Sequence, residues 1–267
     1  MTESSSNTAP PSIQPWLNLI KHPRTLGRYQ QIFLFSHMRA NTSLFGHLLG
    51  ASPEIEGYYE MHIGYYSWKS LWRQKLLHFA DHPVKPQGRY MFDKILHSEH
   101  TVDDLFLTDN HARLFFCLRN PEQTIPSIVK LWRDIDPSHD YCQPELAARY
   151  YCERLLELQK LADRAQVGYY YFDAQCLRDD NARCLDTISE WLQLEQPLSN
   201  DYKVQPRTGA ARAGDHSSNL LQGKIVPGSS DYSAIKVADD LLAQANTVYF
   251  SVRSQLVRGA AMAVTND

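Results

Sequence analysis

The sequence is short of most features that would take it out of the ordinary globular class. No run approaches the roughly 18 apolar residues that a membrane-spanning helix needs. The opening stretch, MTESSSNTAPPS, is polar and contains prolines, without the apolar core of a secretory signal. There is no basic surplus: 27 Lys and Arg face 30 Asp and Glu, for a net charge of −3. Composition therefore offers no footprint for a nucleic-acid binder, although a local basic pocket for a small polyanion remains open. Cys117, Cys142, Cys152, Cys176 and Cys184 are scattered, odd in number and without zinc-like spacing. They read as reduced thiols, and a cytoplasmic location is expected. No internal repeat and no linker interrupts the chain. What is present is 267 residues, 43% of them hydrophobic and 21% charged, enough for one large α/β domain with a substantial core. Residues 1–15 are expected to form a disordered tail and residues 16–267 a single domain.

Short apolar runs alternate with longer amphipathic segments. Strands are expected at Ile32–Phe35, Ile55–Tyr59, Tyr90–Phe92, Leu114–Leu118 and Gly168–Phe172, the last clear one. Helices are expected at Thr42–Leu49 with Gly50 as the stop, at 64–80, Pro121–Trp132, Pro144–Ala165 and Ala182–Leu194. In the second of these, Trp68, Leu71, Trp72, Leu76 and Phe79 can share one face. The stretch 195–232 has no periodicity, and Ser233–Arg258 closes the chain as a helix or helix pair. This alternation predicts a three-layer α/β/α fold with a mostly parallel central sheet. In such sheets ligands bind beyond the carboxyl ends of the strands, so the polar ends at Ser36, Asp93 and Arg119 are expected to converge.

Three segments carry anion-binding chemistry. In Gln31–Gly50 an apolar run stops at SHMRANTS and a helix begins at once, the layout of a loop whose backbone N–H groups hold an anion at a helix N-terminus. Arg39 adds charge, and Thr42 and Ser43 add hydroxyls. The loop has neither the glycines nor the lysine of the Walker sequence. Arg119 directly follows LFFCL, with Ser127 in the next helix, and a guanidinium suits a second phosphate because its planar fork donates two hydrogen bonds. Gly214-Asp215-His216-Ser217, followed by Gly223-Lys224 and preceded by Arg207 and Arg212, can expose backbone N–H groups to an anion.

Together these segments resemble the PAPS-dependent sulfotransferases, on the branch nearer the carbohydrate and bacterial enzymes. Arg39-Ala40-Asn41-Thr42-Ser43-Leu44 is similar to the family's 5′-phosphosulfate loop, usually Arg-Ser-Gly-Ser/Thr-Ser/Thr-Leu. Leu118-Arg119-Asn120-Pro121 with Ser127 is similar to its 3′-phosphate motif, where Asp is usual at the position of Asn120. Phe172–Leu177 weakly resembles a Tyr-Glu-Asp-Leu segment, Gly214–Ser217 with Gly223-Lys224-Ile225 the C-terminal cofactor loop, and Asp93-Lys94 a lysine-bearing strand end. The likeness covers about residues 30–230. It implies a P-loop-like sulfotransferase fold that takes a sulfuryl group from PAPS to a hydroxyl or amine, releases PAP and needs no metal. Arg39, Ala40, Asn41, Thr42 and Ser43 would hold the phosphosulfate. Arg119 and Ser127 would hold the 3′-phosphate, and Arg212, Gly214, Asp215, Ser217, Gly223 and Lys224 would close over the nucleotide. Lys94 would approach the sulfuryl group. Glu60 is the first choice of general base and His62 the alternative, since both would point the same way in an extended segment.

The helix at 64–80 and the region 133–150 are expected to wall the acceptor, a small molecule, carbohydrate or lipid. No nucleic acid and no stable membrane insertion are expected. Leu241, Leu242, Val248, Tyr249 and Val252 could face a second subunit in a homodimer. Two other readings compete: a Mg-ATP-dependent small-molecule kinase of P-loop type, and a catalytically weak PAP-binding protein of the same fold.

Overall fold

A computed structural model of the chain describes residues 23–205, 208, 220–226, 228 and 231–266. The expected tail, 1–15, and the residues 212–217 of the glycine-containing loop lie outside them. Six strands form one sheet: β1 (Gln30–Phe35), β2 (Ile55–Glu56), β3 (Tyr90–Ile95), β4 (Ala112–Leu118), β5 (Tyr169–Asp173) and β6 (Met262–Val264). Their order is β2-β3-β1-β4-β5-β6, and every pairing is parallel. Parallel strands need crossovers that cover both faces, which is why these strands read as unbroken apolar runs.

Side chains alternate across the sheet. On β1, Phe33 and Phe35 enter one core with Tyr151, Leu155, Tyr249 and Val252, while Ile32 and Leu34 enter the other with Phe45, Leu48, Leu185 and Ile188. The first core is covered by α4 (Pro121–Ile135), α5 (Pro144–Arg164) and α8 (Asp239–Gly259), the second by α1 (Thr42–Ala51) and α7 (Asn181–Trp191). Among the described residues the other α-helices are α2 (Trp68–Asp81) and the short α3 (Asp104–Leu107) and α6 (Cys176–Asp179). The three-layer α/β/α arrangement is the one expected. From β1 the chain runs to one side of the sheet, and from β4 to the other. The loops after β1 and β4 therefore flank the crevice at the switch point.

Several elements differ from the sequence expectation. β2 stops at Glu56 because Gly57, at φ 89°, turns the chain across β3. α1 continues through Gly50 to Ala51. Gly50 lacks a side chain for packing rather than for termination: a Cβ there would stand 2.7 Å from Cβ of Tyr58. α2 begins at Trp68, after Ser67, whose Oγ accepts from the Lys69 N–H at 3.3 Å. Trp68 is exposed rather than on the buried face, and Phe79 is fully buried. β3 continues to Ile95, so Asp93 and Lys94 lie inside the strand. Gly168–Phe172 is not the last strand, since the three-residue β6, too short to show a period, pairs with β5. The helical face at Tyr249 and Val252, considered for a second subunit, is buried in the chain's own core. All five cysteines are free thiols.

Gly46 holds α1 against the loop after β2, where a Cβ would overlap the carbonyl oxygen of Tyr58. Gly46→Ala is expected to lower the unfolding free energy by about 2–3 kcal/mol despite its better helix propensity, because backbone rather than a flexible side chain must move. Urea unfolding of both proteins checks this.

Candidate functional site

The loop from Ser36 to Asn41 takes the chain from the buried end of β1 into α1. Two residues in it are left-handed without being glycine, Arg39 at φ 66° and Asn41 at φ 56°. Asn tolerates that conformation better than most residues, so the turn survives the absence of a glycine. The Asn41 side chain does not cap α1. Its Nδ2 donates instead to the Ala174 carbonyl at 2.8 Å. The first-turn N–H groups of a helix need acceptors, and no acidic residue lies in this turn. Thr42 and Ser43, both buried, start the helix there. Strained backbone at Arg39 is held by its neighbours: its carbonyl accepts from Arg119 Nη1 at 2.9 Å, and its Nε donates to Ser127 Oγ at 2.9 Å.

His37 locks this loop to β4. The Arg119 backbone N–H donates to His37 Nε2 at 3.1 Å, so the ring proton sits on Nδ1 and goes to the Met38 carbonyl at 2.9 Å. Complete burial holds its pKa down, to about 3, and the ring stays neutral against Tyr151. Ser36 Oγ adds a bond to the Cys117 carbonyl at 2.7 Å.

Arg119 and Ser127 form the second cluster. Asn120 caps α4 by accepting from the Gln123 N–H at 3.0 Å, a task that needs only an oxygen and that the amide performs in place of a carboxylate. Pro121 takes the first helical position, and Ser127 follows buried on the same helix. Arg119 Nη2 reaches Gln123 Oε1 at 3.2 Å, while its Nε is buried without a partner. Burial is the largest influence lowering its pKa, with the like charges of Arg178 and Arg39 adding to it. Two members were not foreseen. Tyr232 donates to Ser127 Oγ at 2.9 Å and lies beside Arg119, favouring its charge. Arg178, on α6, has a buried Nε without a partner. Arg178 was visible only as the residue after Leu177, and nothing around Tyr232 in the sequence marks it.

The third cluster surrounds Lys94. Lys94 is 1% exposed, and its ammonium donates to Ser43 Oγ at 3.1 Å. Next to it Asp93 is filled by protein donors: the Met61 and Lys94 N–H groups at 3.0 and 2.8 Å and the Tyr65 hydroxyl at 2.7 Å. These bonds anchor the loop that carries Glu60. Burial pushes the Glu60 carboxyl up to about 7 against the opposing pull of Lys94 and Arg154. His62 is left-handed, at φ 53°, not extended as expected, yet its Nδ1 lies 3.6 Å from Glu60 Oε1. His97 Nε2 approaches the same oxygen at 3.9 Å, and burial lowers that imidazole's pKa to about 4. Arg154 supports the floor, donating to the Ser36 carbonyl at 2.9 Å and the Ile95 carbonyl at 2.6 Å.

The structure thus gathers Arg39, Ala40, Asn41, Thr42, Ser43, Arg119, Ser127, Lys94, Glu60 and His62 at the carboxyl ends of β1, β3 and β4. Gly223 and Lys224 hydrogen-bond elsewhere: Gly223 O accepts from the Tyr202 N–H at 2.8 Å and Lys224 bridges to Asp201. Arg212, Gly214, Asp215 and Ser217 are outside the described residues. Tyr58, Tyr59 and Tyr65 are core residues, and Tyr66 is exposed. Asp173 serves structure, pairing with Arg253 at 2.7 Å.

An acid whose pKa is raised on folding binds its proton more tightly in the native state, so stability falls as pH rises from the unfolded value to the folded one. For Glu60 that window runs from 4.5 to about 7. Glu60→Gln, which cannot ionise, is therefore expected to gain stability relative to wild type between pH 5 and pH 7.5. Urea unfolding at both pH values checks this.

No family model matches the sequence, and no curated protein matches it. Among solved structures, the sulfotransferase domain from the curacin biosynthetic pathway superposes with a TM-score of 0.55 at 12% identity, over 85% of this chain and 98% of that one. Two further likenesses have TM-scores below 0.5. The sulfotransferase domain of the Synechococcus PCC 7002 olefin synthase scores 0.48 at 18% identity over 84% of this chain and 94% of that one. Sulfotransferase STF9 from Mycobacterium avium scores 0.49 at 11% identity over 89% of this chain and 81% of that one. The six-stranded parallel sheet with helices on both faces is accordingly that of a sulfotransferase fold.

Proposed function

We propose that this chain is a sulfotransferase that moves a sulfuryl group from PAPS to a hydroxyl or amine acceptor and releases PAP. The observation that carries this reading is the placement of Lys94 between the two ends of the required chemistry. Its ammonium bonds Ser43 in the first turn of α1 and is close enough to act on the Glu60 carboxyl. A sulfuryl group on a phosphate held at the α1 N-terminus would lie beside Lys94, with the acceptor between the sulfur and Glu60.

In that arrangement the first-turn N–H groups, Thr42, Ser43 and Arg39 hold the 5′-phosphosulfate. Arg119 and Ser127 hold the 3′-phosphate. The acceptor oxygen or nitrogen forms its bond to sulfur as the bond from sulfur to the bridging oxygen breaks, and Glu60 takes the acceptor proton. Negative charge grows on the departing PAP, where Lys94 and the loop donors meet it. Positioning and fixed charge supply the catalysis, as in phosphoryl transfer. A base near pH 7 suits Glu60, since burial keeps its carboxylate basic enough to accept a proton. His62 stands close enough to replace it. The acceptor is a small molecule, carbohydrate or lipid. Asp93, the strand carboxylate that a Mg-ATP kinase would use, already accepts from Met61, Tyr65 and Lys94, which favours the sulfotransferase reading.

Calorimetry with PAP and with ATP, without and with Mg²⁺, tests the nucleotide. PAP is expected to bind without metal, and Arg119→Ala to weaken it at least about tenfold, the loss of roughly one charge-assisted hydrogen bond. ATP preference with a Mg²⁺ requirement would refute the reading. With an acceptor found by screening, Glu60→Gln is expected to lower kcat about 100-fold or more. The wild-type kcat/KM should rise with pH and level off above about 7, the value at which Glu60 ionises, and the variant should lose that limb. A rate within threefold of wild type would pass the role of base to His62.

A further inference from the structure

Ser127 and Arg119 already share a neighbour, and it is neither a backbone group nor another charge. The Tyr232 hydroxyl donates to Ser127 Oγ at 2.9 Å and lies beside the Arg119 guanidinium, whose charge it favours. The same Ser127 oxygen accepts from Arg39 Nε at 2.9 Å. One phenol oxygen therefore stands where donors from two elements converge. Ser127 is 1% exposed and Arg119 6%, and water does not readily replace that oxygen at so buried a point. Donors are left over even so, because Arg119 Nε is buried without a partner. A neutral phenol satisfies only part of a cluster whose surroundings, Arg39, Arg119 and Arg178, are cationic.

Room exists for the ring to leave. Tyr232 lies outside regular structure, ahead of α8. It borders a cavity of about 700 Å³ that is also lined by Gln123, Pro126, Ile235, Val237 and Leu242. A small rotation of the segment would withdraw the hydroxyl from Ser127 into that space.

We infer that Tyr232 is an exchangeable latch on the second anion site: its hydroxyl occupies a phosphate-oxygen position between Ser127 and Arg119 and is displaced when a phosphate monoester binds there. This rests on the reading of that site as the holder of the 3′-phosphate. An anion wins the exchange because both donor and acceptor are charged in its hydrogen bonds to the guanidinium, whereas a phenol offers the same donor only a neutral oxygen. The hydroxyl lowers affinity for the 3′-phosphate and leaves the 5′ end of the nucleotide untouched. It also keeps the buried cations partly satisfied in the empty enzyme, where unpaired they would be costly.

The test is Tyr232→Phe, which keeps the ring and removes the competing oxygen. Calorimetric titrations with PAP, with adenosine 5′-phosphate and with inorganic phosphate are run on wild type, Tyr232→Phe and Arg119→Ala, after equal thermal midpoints have shown that the variants fold. Tyr232→Phe is expected to bind PAP about three- to tenfold more tightly, the range of one neutral hydrogen bond. It should bind inorganic phosphate more tightly as well, and adenosine 5′-phosphate unchanged. Unchanged or weaker PAP binding by Tyr232→Phe would overturn the latch and make the hydroxyl a spectator or a phosphate ligand. If no protein binds PAP, the nucleotide reading fails by itself and inorganic phosphate decides. Tighter binding in Tyr232→Phe, lost in Arg119→Ala, sustains the latch, and equal binding in wild type and Tyr232→Phe rejects it.

Discussion

Strands buried on both faces leave little room for chemistry along their length, and that constraint shapes this protein. From Ile32 to Phe35 in β1 and from Leu114 to Leu118 in β4 the strands hold only Ile, Leu, Phe and Cys, all buried. A polar side chain there would need a partner inside the core. The reactive groups consequently collect where the two strands end, at the switch point of the sheet, and the loops after β1 and β4 tie to each other. His37 accepts the Arg119 N–H and Arg119 donates to the Arg39 carbonyl. The spacing of the Arg39 and Arg119 clusters depends on that junction.

β3 carries a buried carboxylate in mid-strand, and its neighbour explains it. β2 pairs with only Tyr90 and Met91, so the rest of β3 is left to another partner. The loop after Gly57 takes that edge, with its Met61 N–H and Tyr65 hydroxyl on Asp93. A buried carboxylate on a strand is thus the hook that delivers Glu60. The short length of β2 and the burial of Asp93 are two sides of one arrangement.

The cations are treated in two ways. Arg154, buried beneath the site, spends its donors on the carbonyls of Ser36 and Ile95 and serves the framework. Arg119 and Arg178 keep buried Nε groups without partners, and their mutual repulsion with Arg39 adds to the effect of burial on Arg119. Buried positive charge without matching carboxylates is unfavourable for stability and favourable for binding an anion. The neighbouring carboxyl, Glu60, is held near neutral pH by the same burial that sets it beside Lys94.

Local sequence determined the α/β class, the order of the long elements, and the two arginine-bearing loops, because buried parallel strands stand out as short unbroken apolar runs, amphipathic helices have a clear period, and the loops that join them at β1 and β4 are short. It also supplied Asn41, whose tolerance of a left-handed backbone is a property of the residue itself. Tertiary structure decided what spacing along the chain does not encode. β6 has three residues and exists as a strand because β5 offers it an edge. Glu60 and His62 meet through a left-handed turn rather than an extended one. His97, 37 positions beyond Glu60, comes beside it from the end of β3. Tyr232 reaches Ser127 across 105 residues. Those contacts are set by the sheet order, which brings distant strand ends to one edge, and hydrogen bonds form wherever packing has already removed water.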